Sequence, residues 1–118
     1  MSWPFEIGDI PERADLWVQS EALQLCKLIE SICPAFGCHV ALTGGLLYRD
    51  GPRKDCDLVL YRIRQVKEID LRGLFDRLEH VGIKRVADHN FVLKATYRGK
   101  GIDFLIPEAT GGEYPPKA

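Results

Sequence analysis

The chain lacks an excess of charge of either sign. Sixteen lysines and arginines stand against seventeen aspartates and glutamates, for a net charge of -1. A protein that coats DNA or RNA carries a basic surplus, so that class is disfavoured, while a local basic pocket remains compatible. The chain also lacks an apolar run long enough to span a bilayer. Its opening stretch, MSWPFEIGDIPER, has no basic region leading into an apolar one. No secretory leader is read there, and a cytoplasmic protein without membrane attachment is expected. The four cysteines, Cys26, Cys33, Cys38 and Cys56, lack both C-x-x-C pairing and a secretory context. Disulfides are therefore not expected. Missing pair spacing also speaks against a zinc site built on Cys33, Cys38 and His39. Cys26 and Cys33, seven residues apart on an expected helix, suit the role of small core hydrophobes.

What is present is 118 residues, 46% apolar and 28% charged, the size and balance of one globular domain. Residues 1–14, with Pro4, Gly8 and Pro11, read as an irregular lead-in. Residues 15–108 carry the periodic patterns of a folded domain. Residues 109–118, rich in Gly and Pro, read as a flexible tail.

Within the domain, Val18, Ala22, Leu25, Ile29 and Ile32 recur at three- and four-residue steps and predict a helix over 15–33, capped by Asp15 and closed by Pro34 and Gly37. His39–Thr43 predicts a short strand, broken by Gly44-Gly45, and Leu46–Tyr48 a helical turn. The run CDLVLYRI, residues 56–63, is rich in strand formers. Leu71, Leu74, Phe75, Leu78 and Val81 give one face of a second helix over 70–81, with Asp70 as cap and Gly82 beyond its end. Strands are expected at 83–87, 91–97 and 102–106, separated by Asp88-His89-Asn90 and by Arg98-Gly99-Lys100-Gly101. The fold class is thus α+β (α/β): a mixed sheet of about four to five strands packed against two main helices.

The chemistry concentrates between Leu42 and Leu60. A strand ends at Gly44-Gly45 and enters a short helix, where glycine lets a ligand approach the backbone and free N–H groups face a phosphate. A loop then leads to Asp55 and Asp57. Side chains alternate along a strand, so these two carboxylates point to one face. Held so close, they repel, and magnesium relieves the repulsion while preferring carboxylate and phosphate oxygens. A third acid, Asp103, lies inside the apolar run Gly101–Ile106, where an unpaired charge is costly. If its strand lies beside that of Asp55 and Asp57, the trio suits two-metal phosphoryl transfer.

This pattern resembles the DNA-polymerase-β-type nucleotidyltransferase superfamily. Gly44 and Gly45 match its glycine pair, Asp55 and Asp57 follow after nine intervening residues as its paired acids, and Asp103 matches its third acid. The resemblance covers roughly residues 15–106 and implies a small domain of the minimal kind, nucleotidyltransferase in fold. It implies that Asp55, Asp57 and Asp103 are catalytic and bind Mg2+ or Mn2+, with Asp103 also activating the acceptor hydroxyl. It implies that Gly44 and Gly45 contact the β- and γ-phosphates of a nucleoside triphosphate such as ATP. The implied reaction moves a nucleoside monophosphate onto a hydroxyl of tRNA, a protein or a small molecule. A place in a toxin–antitoxin pair is a further implication, as is a partner chain or a homodimer that completes the site. Two departures stand out: Gly45 replaces a serine common at that position, and no helical domain follows Asp103 in this sequence. The alternative is a catalytically inactive module of the same fold that binds a protein partner or a nucleotide.

Several residues have competing readings. Arg53 and Lys54, with Arg49, flank the paired acids and suit either nucleotide binding or an ordinary charged loop. Arg62, Arg64 and Lys67 suit solvated surface. His39 suits a hydrogen-bonded structural role, His80 a helix C-terminus and His89 a turn. Trp3 and Trp17 suit core or cover positions rather than base-stacking platforms.

Overall fold

The computed structural model describes residues 15–108; the expected lead-in, with Trp3, and the expected tail lie outside the described residues. The first helix, α1, runs Gln19–Glu30 and buries Ala22, Leu25 and Ile29. It is shorter than the periodicity predicts. Asp15 does not cap it; instead Glu21 accepts a hydrogen bond from the Val18 N–H at 3.3 Å. Residues before Val18 are drawn away because the Trp17 backbone pairs with Arg53, exchanging hydrogen bonds of 2.7 and 2.9 Å. At the other end, Cys33–Phe36 forms a separate 3-10 turn, closed by Gly37 at a φ of 88°.

Strand β1 (Cys38–Thr43) leads into the short helix α2 (Gly45–Tyr48), and strand β2 spans Asp55–Arg62. Helix α3 (Leu71–His80) follows, with the Asp70 carboxylate accepting from the Gly73 N–H at 3.0 Å as expected of its cap. Strands β3 (Ile83–His89), β4 (Val92–Tyr97) and β5 (Lys100–Leu105) complete the domain. His89, expected in a turn, ends β3, and the chain reverses at Asn90, whose φ is 59°. The expected four-residue turn at 98–101 is a two-residue hairpin, Arg98-Gly99, with both φ values positive; Lys100 and Gly101 are already in β5.

The five strands form one sheet in the order β1-β2-β5-β4-β3. All neighbours are antiparallel except the central pair, β2 and β5, which run parallel. The observed architecture is thus the expected α+β fold. Alternation along the strands sorts the side chains by face. Cys56, Leu58 and Leu60 of β2, Ile102 and Phe104 of β5, and Leu93 and Ala95 of β4 point into the core with α1 and α3. Phe75 of α3 meets Phe104 of β5 edge to face at 5.1 Å, the favoured geometry for an aromatic pair.

All four cysteines are free thiols, and Cys33, Cys38 and Cys56 are fully buried. Burial pushes the Cys26 thiol up to about 11 and that of Cys56 up to about 12, so neither is poised as a nucleophile. The zinc reading does not hold among the described residues. Cys38 faces the core, whereas His39 projects from the opposite face, where it bonds the Glu30 carboxylate. His39 is thus the structural histidine expected.

Because Phe75 is fully buried and part of this aromatic contact, Phe75→Ala is expected to cost about 3–5 kcal/mol of unfolding free energy, read from the urea midpoint. Leu23→Ala, on the exposed side of α1, is expected to change it by less than about 0.5 kcal/mol.

Candidate functional site

The face of the sheet opposite the helices carries the acids. β5 lies directly beside β2 in parallel register, so Asp55 pairs with Gly101 and Asp57 with Asp103. β4 lies on the far side of β5, and its Lys94 stands opposite Asp103. Three carboxylates and one ammonium therefore share a single patch on three adjacent strands. On β1, Thr43 stands opposite Asp57 and marks the same side.

Electrostatics follow from this crowding. Burial, then the charges of Asp103 and Asp55, push the Asp57 carboxyl above its usual range, with Lys94 and Arg53 partly offsetting the effect. Lys94 Nζ lies 2.8 Å from Asp103 Oδ1. That hydrogen bond, aided by the charges of Asp103, Asp55 and Asp57, pushes the Lys94 ammonium above its usual value and outweighs the opposing effect of burial.

Three glycines make room for the charged groups. A β-carbon on Gly44 would collide with the Asp57 carboxylate, one on Gly45 with the Arg53 guanidinium, and one on Gly101 with the Asp55 carboxylate. Gly44 also has φ 74° and ψ -157°, a region that only glycine adopts without strain. The glycine pair read from the sequence thus has a local role as well as an expected ligand role: it lets Asp57 and Arg53 lie flat against the turn from β1 into α2.

Arg53, expected to bind nucleotide, is set against Gly45 at the edge of the acid patch. Lys54, its expected companion, is exposed just before β2. Arg49 ends α2 and is exposed. The loop holding Arg53 is fastened from below. Trp17 pairs with the Arg53 backbone, the Gln19 N–H donates to the Asp50 carbonyl at 2.6 Å, and Gln19 Nε2 donates to the Leu46 carbonyl at 2.8 Å. The Trp17 indole N–H in turn donates to the Gly101 carbonyl at 2.6 Å, beside the start of β5. Lys100 lies over its ring at 5.2 Å and pairs with Glu21 at 2.7 Å. Trp17 is buried as expected, but its part in tying the Arg53 loop to the strand of Asp103 needs three separated segments in one place and left no mark in the sequence. Lys94 could have been noticed as the lone charge in VLKATY.

The donor set fits a hard divalent cation in kind: carboxylate oxygens only, on rigid strands, with glycine where a side chain would obstruct. Among the described residues, however, no three or more His, Cys, Asp or Glu side chains are drawn together tightly enough to enclose an ion as they stand. Asp103 turns to Lys94, Asp57 to Gly44 and Asp55 to Gly101.

No protein-family model and no curated protein sequence matches the chain. Solved structures share its fold. One is reported as the structural basis for the activity of a cytoplasmic RNA terminal U-transferase, at 12% identity and a TM-score of 0.60. Another is Cid1 in complex with the UTP analogue UMPNPP, at 10% identity and a TM-score of 0.59. In both comparisons the match covers 82% of this chain and 32% of the other, so the chain spans about a third of those proteins. At such identity the likeness establishes the fold alone, and that fold is the nucleotidyltransferase fold. No helix among the described residues is long and apolar enough to cross a membrane.

The crowding has a measurable consequence in metal-free solution. Asp57's folded pKa is raised, so the protein is most stable with this group protonated, and that contribution is lost as pH rises from about 4 through the raised value. Asp57→Asn is therefore expected to raise the melting temperature at pH 7 in the presence of a chelator. The gain should shrink toward zero as the pH approaches the unfolded carboxylate value, as thermal scans across pH would record. Gly44→Ala is expected to do the opposite, losing about 1–3 kcal/mol at every pH through its backbone geometry.

Proposed function

We propose that this chain is a nucleotidyltransferase domain that moves a nucleoside monophosphate from a nucleoside triphosphate onto an acceptor hydroxyl. The observation that carries the proposal is the register of β2 against β5, which sets Asp103 opposite Asp57, two residues from Asp55, on the face free of α1 and α3. In this reading Asp55, Asp57 and Asp103 would hold Mg2+ or Mn2+, which would supply charge neutralisation for the triphosphate and a lowered pKa for the attacking hydroxyl.

The chain's own groups have the following parts. The backbone at Gly44 and Gly45 receives the β- and γ-phosphates, where the absence of a Cβ permits close approach. Arg53, against Gly45, balances phosphate charge, and Lys54 steers the anionic substrate from the exposed rim. The acceptor oxygen bonds to the α-phosphorus as the bond to the departing pyrophosphate breaks, and Asp103 takes the hydroxyl proton. Fixed groups of this kind act by positioning and electrostatics rather than by covalent chemistry.

Two nucleotide-related proteins of the same fold, one an RNA terminal U-transferase and one bound to a UTP analogue, support UTP and RNA as the first substrates to try. tRNA, a protein side chain and a small molecule remain the wider acceptor classes. A second reading is an inactive module of this fold that binds a nucleotide or a protein partner, since a fold does not fix an activity.

Incubation with each of the four α-labelled nucleoside triphosphates, Mg2+ or Mn2+, and RNA or cell extract separates the two. Label transferred to an acceptor and lost in Asp57→Ala supports the enzyme. Absence of transfer with all four triphosphates, together with partner or nucleotide binding that Asp57→Ala leaves unchanged, supports the module.

A further inference from the structure

Lys94 belongs to no motif in the sequence, yet it stands in the middle of the acid patch. Antiparallel pairing of β4 with β5 sets it opposite Asp103, while parallel pairing of β5 with β2 sets Asp57 opposite the same aspartate. Asp103 is thus flanked by a like charge on one side and an opposite charge on the other. The Asp103 side chain is only 19% exposed, and Lys94 Nζ holds its Oδ1 at 2.8 Å. Lys94 itself is 45% exposed, so its head can leave for solvent on its flexible stem without any change in the backbone.

We propose that Lys94 is a built-in counter-ion that competes with the divalent cation for Asp103 and so holds down the affinity of the site for free metal. The inference rests on the reading of Asp55, Asp57 and Asp103 as metal ligands. A single ammonium compensates part of the repulsion among three carboxylates held on one face. A divalent ion must displace it, and the displaced ammonium then faces solvent. Lys94 is in this sense a positioning residue: it sets where the Asp103 carboxylate points before the ligands arrive.

A purely structural ion pair predicts the opposite response to its removal. Without Lys94, a structural role would leave the patch looser and metal binding weaker, whereas competition makes binding tighter. The test titrates the full chain with Mn2+ in the absence of nucleotide and follows the loss of the free-ion electron paramagnetic resonance signal. Lys94→Met is expected to tighten Mn2+ binding by about tenfold, the effect of removing one positive charge a few ångströms away. Lys94→Arg should keep the wild-type affinity, and Asp57→Asn should weaken it. Lys94→Gln, its folding checked by circular dichroism, is expected to follow the methionine variant. Equal or weaker binding by both neutral variants, with wild type still binding in an Asp57-dependent way, would overturn the role of Lys94 and leave the metal site standing. If neither wild type nor the neutral variants bind Mn2+, the metal reading fails and the role of Lys94 goes with it.

Discussion

Like charges brought into register across a parallel strand pair impose the constraint from which the rest of this site follows. Asp57 and Asp103 face each other on β2 and β5, with Asp55 one alternation away. Nothing in an ordinary sheet rewards that arrangement, because opposed like charges on neighbouring strands destabilise it. The structure answers the repulsion locally. Lys94 takes one carboxylate, Arg53 lies near enough to offset another, and glycine at two positions, 44 and 101, lets the carboxylates spread over bare backbone. The hydrophobic layer beneath supplies rigidity: Cys56, Leu58, Ile102 and Phe104 are buried on the reverse side of the same two strands. Stability is concentrated on one face and electrostatic cost on the other, the usual distribution when a fold carries a site.

Much of this was legible because two periodicities dominate the chain. The apolar steps of Leu71, Leu74, Phe75 and Leu78 located α3 to within a residue at each end, and the strand formers of residues 56–63 located β2. Alternation alone required Asp55 and Asp57 to share a face. The placement of Asp103 beside them followed only from a resemblance in spacing and order, since no local pattern specifies which strands become neighbours. The pairing of β5 with β2 rather than with β1 or β3 is a property of the whole sheet.

The differences between local sequence pattern and structure have a common cause, which is tertiary contact overriding local preference. Residues 15–18 carry helical spacing but are held out of α1 because the Trp17 backbone finds partners on Arg53. Asp15 accordingly caps nothing there. Cys33 leaves the helix for a 3-10 turn in which Pro34 follows directly, and His89 extends β3 because β4 offers it Val92 as a partner. Lys94 is hidden from a sequence reading for a different reason: a single lysine in a strand ordinarily reads as surface, and only the register reveals what it faces.

The position of β5 in the middle of the sheet also bears on how the protein is made. Its neighbours, β2 and β4, were synthesised earlier, yet they cannot be joined until the fifth strand slides between them. While the ribosome is still short of residue 105, the chain can form only two separate hairpin-like pieces, β1 with β2 and β3 with β4, each with an unpaired edge. Cooperative assembly of the sheet must therefore wait until β5 has been made, and for that interval the nascent chain exposes two strand edges that a chaperone would be suited to shield.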